Sequence, residues 1–333
     1  MKKYITILTL ICLLVGIFCF SFTGCDKKDD NTIKLIEVTH SVFYAPLYVA
    51  INKGYFEEEN ITIELSNGGG ADKCMNAILS GGADIGLMGP EAAIYVYNGG
   101  KEDYPKIFAQ LTKKDGSFLM ARQPDTSFDW TKLEGKEVIG GRKGGVPAMS
   151  FEYALSKNNL IPGQNINLRY DIQFDLIGPS FSEGIGDYCT MFEPAASNMQ
   201  KAGKGHIVAS VGQEAGNMPF TAFMASQSYL NSHPKLIEGF TRALIKAMEY
   251  VQINTPEVIA NALKNSFKET DIDILVSSIK SYKDIDAYAI TPIMAKEDFE
   301  LLQDVIIQAK VMNTRADFAK LVNNDIANSL LKA

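Results

Sequence analysis

One sequence pattern occurs twice in this chain, over residues 82–93 (GADIGLMGPEAA) and again over residues 184–196 (GIGDYCTMFEPAA). Each copy has a Gly and Asp turn, a short apolar run that predicts a strand, a loop, and a proline that opens a predicted helix. Two patterns this common can be similar by chance. If they are related, they predict two lobes of one architecture. Ligands of open α/β sheets bind beyond the carboxyl ends of the strands, so two facing lobes would form a cleft with a site from each side.

Strand-like and helix-like segments alternate through most of the chain after residue 31. Residues 46–53 predict a helix that begins at Pro46 and ends at Gly54, and residues 71–80 predict a second helix. This βαβα order predicts a largely parallel, open α/β sheet, and a second α/β unit follows from residue 137. The predicted strands cover residues 33–38, 61–65, 84–88, 107–111, 137–140, 167–174, 188–191 and 207–211.

From about Pro234 onward the apolar residues follow a helical spacing, which predicts consecutive amphipathic helices. We interpret them as structural, because their sequences contain no chemical motif. After the first of these, which begins at Pro234, they cover residues 256–267, 271–282, 296–312 and 316–331.

Composition limits the possible classes of function. The chain has 333 residues, 46% of them hydrophobic, which suits two lobes with a core each. Its formal net charge is -7, whereas a nucleic-acid binder needs a basic face, so we expect no nucleic-acid partner. After residue 22 no apolar run is long enough to cross a membrane.

The first 31 residues predict export and lipid attachment. Lys2 and Lys3 precede an uncharged apolar run over residues 5–22, which is typical of a secretory signal. The following Thr23-Gly24-Cys25 resembles a bacterial lipobox, in which the cysteine receives a lipid. We therefore expect a lipoprotein signal peptide over residues 1–24, lipidation at Cys25, a polar tether over 25–31, and an extracytoplasmic protein that contacts the cell membrane through its lipid only. The alternative is a plain transmembrane anchor.

Two cysteines, Cys74 and Cys189, lie beyond this segment. An exported protein can form a disulfide, but we expect two buried free thiols here.

The glycine-rich segments do not match known catalytic or cofactor motifs. Residues 68–73 (GGGADK) lack the third glycine of a dinucleotide fingerprint, and residues 140–145 (GGRKGG) lack the ending of a phosphate-binding loop. Three histidines stand too far apart for a metal motif. We therefore predict no cofactor, no metal and no catalysis. The same loops precede predicted helices, where glycine lets the backbone approach a ligand and free N–H groups can donate hydrogen bonds.

Residues 39–50 (THSVFYAPLYVA), followed by residues 53–59 (KGYFEEE), carry a family resemblance. With residues 77–86 (AILSGGADIG) and Phe192-Glu193-Pro194, they resemble the substrate-binding proteins of ABC importers that serve sulfonates, nitrate, taurine and pyrimidine precursors of thiamin. The resemblance covers about residues 33–225. It implies a two-lobed type II periplasmic-binding-protein fold, with lobe 1 over residues 32–120 and 219–333 and lobe 2 over 121–218. It also implies ligand capture by hinge closure, delivery to a permease with its ATPase, and a monomer.

The resemblance places a set of residues in the cleft between the lobes. For His40, Tyr44 and Arg142 the alternatives are a polar strand end, a core position and a solvent-exposed charge, respectively. The predicted ligand-binding residues are His40, Phe43, Tyr44, Asn67, Gly69, Gly70, Gly89, Pro90, Glu91, Arg142, Gly144, Gly145, Tyr188 and Glu193.

The expected ligand follows from Glu193, if that residue faces the cleft. A carboxylate accepts a hydrogen bond from an amine but opposes a sulfonate or nitrate, and the aromatic residues Phe43, Tyr44 and Tyr188 favour a planar ring. We therefore expect an aminopyrimidine or thiamin-like solute, with taurine or another aminosulfonate, or nitrate, as the alternative.

Two other classes remain open. The thiamin-pyrimidine synthase of fungi resembles this chain. However, its cysteine-rich motif is reduced here to Cys189 and Phe192, and the chain carries an export signal. A lipoprotein that senses a solute and signals to a receptor is the third class.

Overall fold

The computed structural model describes residues 31–332. The predicted signal peptide, Cys25 and most of the tether lie outside the described residues. In chain order the strands are β1 (Thr32–Glu37), β2 (Thr62–Asn67), β3 (Ile85–Met88), β4 (Pro105–Thr112), β5 (Ser117–Ala121), β6 (Glu137–Ile139), β7 (Asn167–Arg169), β8 (Tyr188–Phe192), β9 (His206–Ser210) and β10 (Thr221–Ser226).

The described strands form two five-stranded sheets, ordered β2-β1-β3-β10-β4 and β7-β6-β8-β5-β9. We call the part around the first sheet lobe 1 and the part around the second lobe 2. Strands β1 and β3 pair in parallel, as do β6 with β7 and β8. Each sheet also contains one antiparallel strand, β10 in lobe 1 and β5 in lobe 2. The expectation of largely parallel sheets holds except at these two strands, which the strand prediction missed.

The repeated sequence pattern occupies equivalent places in the two sheets, because β3 and β8 are each the third strand. The aspartate before each strand has the same role. Asp84 accepts from the Lys34 N–H at 2.8 Å, and Asp187 accepts from the Glu137 N–H at 2.9 Å, which ties each central strand to its parallel neighbour. The two lobes therefore repeat one local design.

The helices cover both sheets, and the C-terminal ones extend the fold as predicted. The first group is α1 (Ala45–Asn52), α2 (Tyr55–Glu58), α3 (Ala71–Leu79), α4 (Glu91–Asn98), α5 (Val146–Lys157), α6 (Ile177–Ser182), α7 (Ala195–Lys201) and α8 (Val211–Ala215). The second group is α9 (Gln227–Ser232), α10 (Pro234–Ile253), α11 (Pro256–Leu263), α12 (Ile272–Asp284), α13 (Lys296–Gln308), α14 (Phe318–Leu321) and α15 (Asp325–Lys332). The helix predicted over 316–331 is thus two helices.

Two chain crossings connect the lobes. Residues 113–116 lead from β4 to β5, and residues 216–220 lead back to β10. They lie side by side, since the Met218 N–H donates to the Lys113 carbonyl at 2.9 Å and the Phe220 N–H to the Thr112 carbonyl at 3.1 Å. The two lobes are thus joined by two neighbouring, hydrogen-bonded segments.

Both lobes have buried apolar cores, in which Cys74 and Cys189 are fully buried free thiols, as expected. Within residues 31–332, no helix is both long and apolar enough to cross a membrane.

Candidate functional site

A pocket of about 320 Å³ lies between the two lobes. Lobe 1 contributes the segments that follow β1, β2 and β3, and lobe 2 contributes the start of α5, the segment after β7 and the end of β8. From lobe 1 and the second chain crossing come Val38, Thr39, Tyr44, residues 69–73, Gly89, Glu91, Phe220 and Thr221. From lobe 2 come Gly141, Arg142, residues 145–147 and 170–174, Ile177, Thr190 and Phe192. The pocket therefore lies at the carboxyl ends of strands in both sheets.

Glu91, the first residue of α4, brings a buried carboxyl to this pocket. The residue is 3% exposed, and its Oε2 has no hydrogen-bond partner within the described protein. The side chain folds back over Gly89, where a Cβ would overlap Oε2. Glycine at position 89 is therefore what lets the carboxyl take this place.

Burial raises the pKa of the Glu91 carboxyl to about 7. The backbone N–H of Glu91 itself, the backbone N–H of Val146 and the positive charge of Arg142 oppose this rise. Val146 and Arg142 belong to lobe 2, and Val146 opens α5, whose N-terminus carries a partial positive charge. Glu91 thus faces lobe 2 across the cleft and can ionise near neutral pH.

Aromatic rings form much of the remaining wall. Phe192 packs against Phe174 at 5.6 Å and against Phe220 at 6.0 Å between ring centroids, and Tyr44 and Tyr170 also line the pocket. Such faces offer a flat, apolar contact surface to a ligand ring.

Charged side chains lie at the mouth of the pocket. Arg142 of lobe 2 lies 3.7 Å from the carboxylate of Asp72 in lobe 1, and both side chains are more than half exposed. A pair this exposed contributes little to stability. Lys73 lies on the same rim.

Comparison with known proteins decides the family. Residues 35–265 match the NMT1-like family, which is more than half of the chain. The chain belongs to the NMT1-like family. The protein named "Putative binding protein YtlA" of Bacillus subtilis (strain 168) is 42% identical over 312 residues, which cover 93% of each protein. The predicted family resemblance is confirmed.

Solved structures show the fold of this NMT1-like protein. A ligand-binding component of an ABC-type import system from Staphylococcus aureus superposes with a TM-score of 0.72 at 14% identity, covering 91% of this chain and all of the other. The periplasmic nitrate-binding protein NrtA of Synechocystis PCC 6803 superposes with a TM-score of 0.69 at 15% identity, covering 91% and 88%. The predicted periplasmic-binding-protein fold is confirmed.

Half of the predicted site residues line the pocket. They are Tyr44, Gly69, Gly70, Gly89, Glu91, Arg142 and Gly145. These seven remain candidates for ligand contact.

Four predicted residues lie just behind this wall. Phe43 is 1% exposed and packs against Tyr282 at 4.9 Å between ring centroids. The Asn67 side chain accepts from the Gly69 N–H at 2.8 Å, Pro90 is the N-cap of α4, and the Gly144 carbonyl accepts from the Tyr95 hydroxyl at 3.1 Å. These residues shape the pocket loops from outside the lining.

His40 and Tyr188 lie away from the pocket lining, so their placement differs from the prediction. His40 Nδ1 lies 3.1 Å from Glu37, and its Nε2 contacts the Ser266 carbonyl at 2.7 Å, so both nitrogens have partners within the protein. The hydrogen bond to Glu37 raises the pKa of His40. Tyr188 begins β8 at the end opposite the pocket and packs near Phe128.

The largest correction concerns Glu193, which does not face the cleft. Its carboxylate accepts from the Ser197 N–H at 2.9 Å and from the Ser197 and Ser278 hydroxyls at 2.8 and 3.4 Å. The residue is 1% exposed and lies outside the pocket lining. Since protein donors already satisfy its oxygens, it holds α7 in place and has no free acceptor for a ligand.

The sequence analysis missed several lining residues, chiefly residues 170–174, Thr190, Phe220 and Thr221. Residues 170–174 were not predicted to line the pocket, because they continue the alternation of polar and apolar residues that we interpreted as one strand over 167–174. The strand ends at Arg169, so the residues beyond it form the pocket wall. Phe220 and Thr221 lie at the second chain crossing, which no local pattern marks.

Proposed function

We propose that this protein is the lipid-anchored, extracytoplasmic solute-binding component of an ABC importer. Its cleft captures a small planar amine-bearing solute, such as a thiamin-related pyrimidine, by closure of the two lobes. Family membership and the fold support the binding role, and a solved structure of the same fold is a ligand-binding component of an ABC-type import system. The lipobox-like Thr23-Gly24-Cys25 supports the anchor.

The buried carboxyl of Glu91 is the observation that carries the choice of ligand. An unpartnered carboxylate oxygen inside a pocket is costly, and a ligand amine would satisfy it with a charge-assisted hydrogen bond. A nitrate or a simple sulfonate would instead bring a second negative charge next to Glu91. We therefore assign to Glu91 the amine-binding role that the sequence predicted for Glu193.

The aromatic wall supports a planar body for the same ligand. Phe174, Phe192 and Phe220 line the pocket, and Phe192 packs against the other two. A flat heterocycle can stack on such rings while its exocyclic amine reaches the carboxyl.

An aminosulfonate such as taurine is the second candidate. Arg142 and Lys73 at the pocket mouth could hold the sulfonate while the amine meets Glu91. The apolar ring faces would then contact little of the ligand, so we place this candidate second.

We propose no catalysis, with release to a permease and its ATPase and with a monomeric binding protein. Of the cysteine-rich motif of the synthase alternative only Cys189 is kept, and burial raises the pKa of its thiol well above its usual range. A buried neutral thiol is a poor nucleophile.

A thermal-shift panel on the purified protein tests the ligand class. The solutes are aminopyrimidines, thiamin, taurine, an alkanesulfonate without an amine, and nitrate. Ligand at one hundred times its Kd stabilises a protein by about 2.7 kcal/mol. We expect the largest rise in Tm with an amine-bearing ring. A rise only with nitrate or the amine-free sulfonate would contradict the proposal.

A further inference from the structure

Hydrogen bonds join the two lobes on both sides of the cleft, and those on one side are deeply buried. Here the Ser41 hydroxyl donates to the Glu193 carbonyl at 2.6 Å, and the Glu193 N–H donates to the Tyr282 hydroxyl at 2.9 Å. Ser41 follows β1 of lobe 1, and Tyr282 on α12 packs against Phe43 of the same lobe. All three bonded residues are at most 2% exposed. We call this group the Glu193 contact.

The other side of the cleft is bridged closer to solvent. The hydroxyl of Tyr95, on α4 of lobe 1, donates to the Gly144 carbonyl of lobe 2 at 3.1 Å and lies 3.7 Å from Met149 Sδ. Tyr95 is only partly buried, and the neighbouring bond from Gln308 to Ser156 is exposed. We call the bond from Tyr95 to Gly144 the Tyr95 contact.

The two contacts differ in the free energy that is needed to break them. Opening the Glu193 contact would leave the buried hydroxyls of Ser41 and Tyr282 and the backbone groups of Glu193 without these hydrogen-bond partners, which costs free energy. The Tyr95 bond is only part-buried, so water can replace it more readily, and one such hydrogen bond shifts an equilibrium by about 2- to 10-fold. Separation should therefore cost less at the Tyr95 contact than at the Glu193 contact.

The Tyr95 contact also lies next to residues that line the ligand pocket. Tyr95 stands one helical turn after Glu91 on α4, so the two share a helix face. Gly144, at φ +80°, directly precedes Gly145 and Val146, which line the opposite wall. The bond can form only when the two pocket walls face each other. We propose that Tyr95 is a closure latch, whose hydroxyl bond to the Gly144 carbonyl holds the cleft closed while the Glu193 contact acts as the fixed side of the hinge.

A single hydroxyl can be removed to test the latch, and the same helix offers a matched control. Tyr95→Phe keeps the ring and deletes the hydroxyl. Tyr97→Phe makes the same change two residues later, where the ring packs on Tyr104 within lobe 1. Small-angle scattering and hydrogen exchange on the full-length proteins, with no solute added, measure closure without depending on the ligand.

We expect Tyr95→Phe to have a larger radius of gyration than the wild type and about 2- to 10-fold faster amide exchange over residues 141–147. Exchange over residues 192–197 should stay at the wild-type value, the Tm should fall by no more than a few degrees, and Tyr97→Phe should behave as the wild type. Wild-type compactness and exchange in Tyr95→Phe would overturn the proposal. Faster exchange on both sides of the cleft would also overturn it, because the Glu193 contact would then not be fixed.

Discussion

At the scale of single residues, two buried glutamates have different surroundings. Glu193 is bonded by Ser197 and Ser278, whereas Glu91 leaves one oxygen unpartnered at the ligand pocket. Both follow the third strand of their sheet, but Glu91 comes directly after Pro90 whereas Glu193 comes directly before Pro194. The two carboxyl groups differ in the hydrogen-bond donors next to them. Those neighbours depend on contacts between segments that are distant in the sequence. The sequence could place both near the cleft but could not assign the free carboxyl.

Glu91 should make the stability of the protein depend on pH. Burial raises its folded-state pKa from 4.5 to about 7, so as pH rises the unfolded chain loses this proton first. The ionised carboxyl then destabilises the folded state, by at most roughly 3 kcal/mol, and this loss develops between about pH 4.5 and 7. We expect the Tm of Glu91→Gln relative to wild type to increase from pH 5 to pH 8.

Comparing the Tm of the wild type with that of Glu91→Gln isolates the effect of this carboxyl from the effects of other titratable groups. Burial also raises the pKa of Asp115 to about 6, which acts in the same direction in both proteins. Arg142, which faces Glu91 from lobe 2, and Tyr44 and Tyr95 of lobe 1 are also kept in the variant. A difference in Tm that does not change with pH would show that Glu91 ionises normally.

At the scale of secondary-structure elements, the repeated strand is held in the same way in both lobes. Asp84 and Asp187 each accept one backbone N–H from the parallel neighbour of the central strand. Replacing either by alanine should cost about 1 kcal/mol, or roughly 2–4 °C in Tm, and the two variants should differ little. Thermal melts of both single variants check this. A clear loss in one variant and none in the other would contradict the equivalence of the two lobes.

The same elements show how far sequence periodicity predicts this fold. Most strands with helices between them were predicted close to their observed bounds, because caps and glycine stops mark their ends, but β7 ends at Arg169 and not at the predicted residue 174. Strands β5 and β10 were missed, since they are almost fully buried and follow the chain crossings. Their antiparallel placement depends on pairing with distant strands, which local patterns do not encode.

At the scale of the whole molecule, the cleft forms where two repeated halves meet. Loops after strand ends could be predicted to line it, and Gly69, Gly89, Glu91 and Arg142 do so. The rest of the lining comes from the chain crossings and from the segment after β7, whose positions are set only by tertiary packing. We therefore expect the closed cleft to select an amine through the carboxyl of Glu91.

Calorimetric titration of the wild type and Glu91→Gln tests that claim most directly. The ligand is the amine-bearing ring that gives the largest thermal shift, with the amine-free alkanesulfonate titrated in parallel. Asp72→Asn serves as the control, because it removes a carboxylate from the exposed rim of the same pocket. A charge-assisted hydrogen bond contributes about 1.5–3 kcal/mol, so Glu91→Gln should weaken the amine by roughly 10- to 100-fold while Asp72→Asn changes it far less. An unchanged affinity for the amine in Glu91→Gln, or wild-type protein that binds the sulfonate more tightly than the amine, would contradict the account.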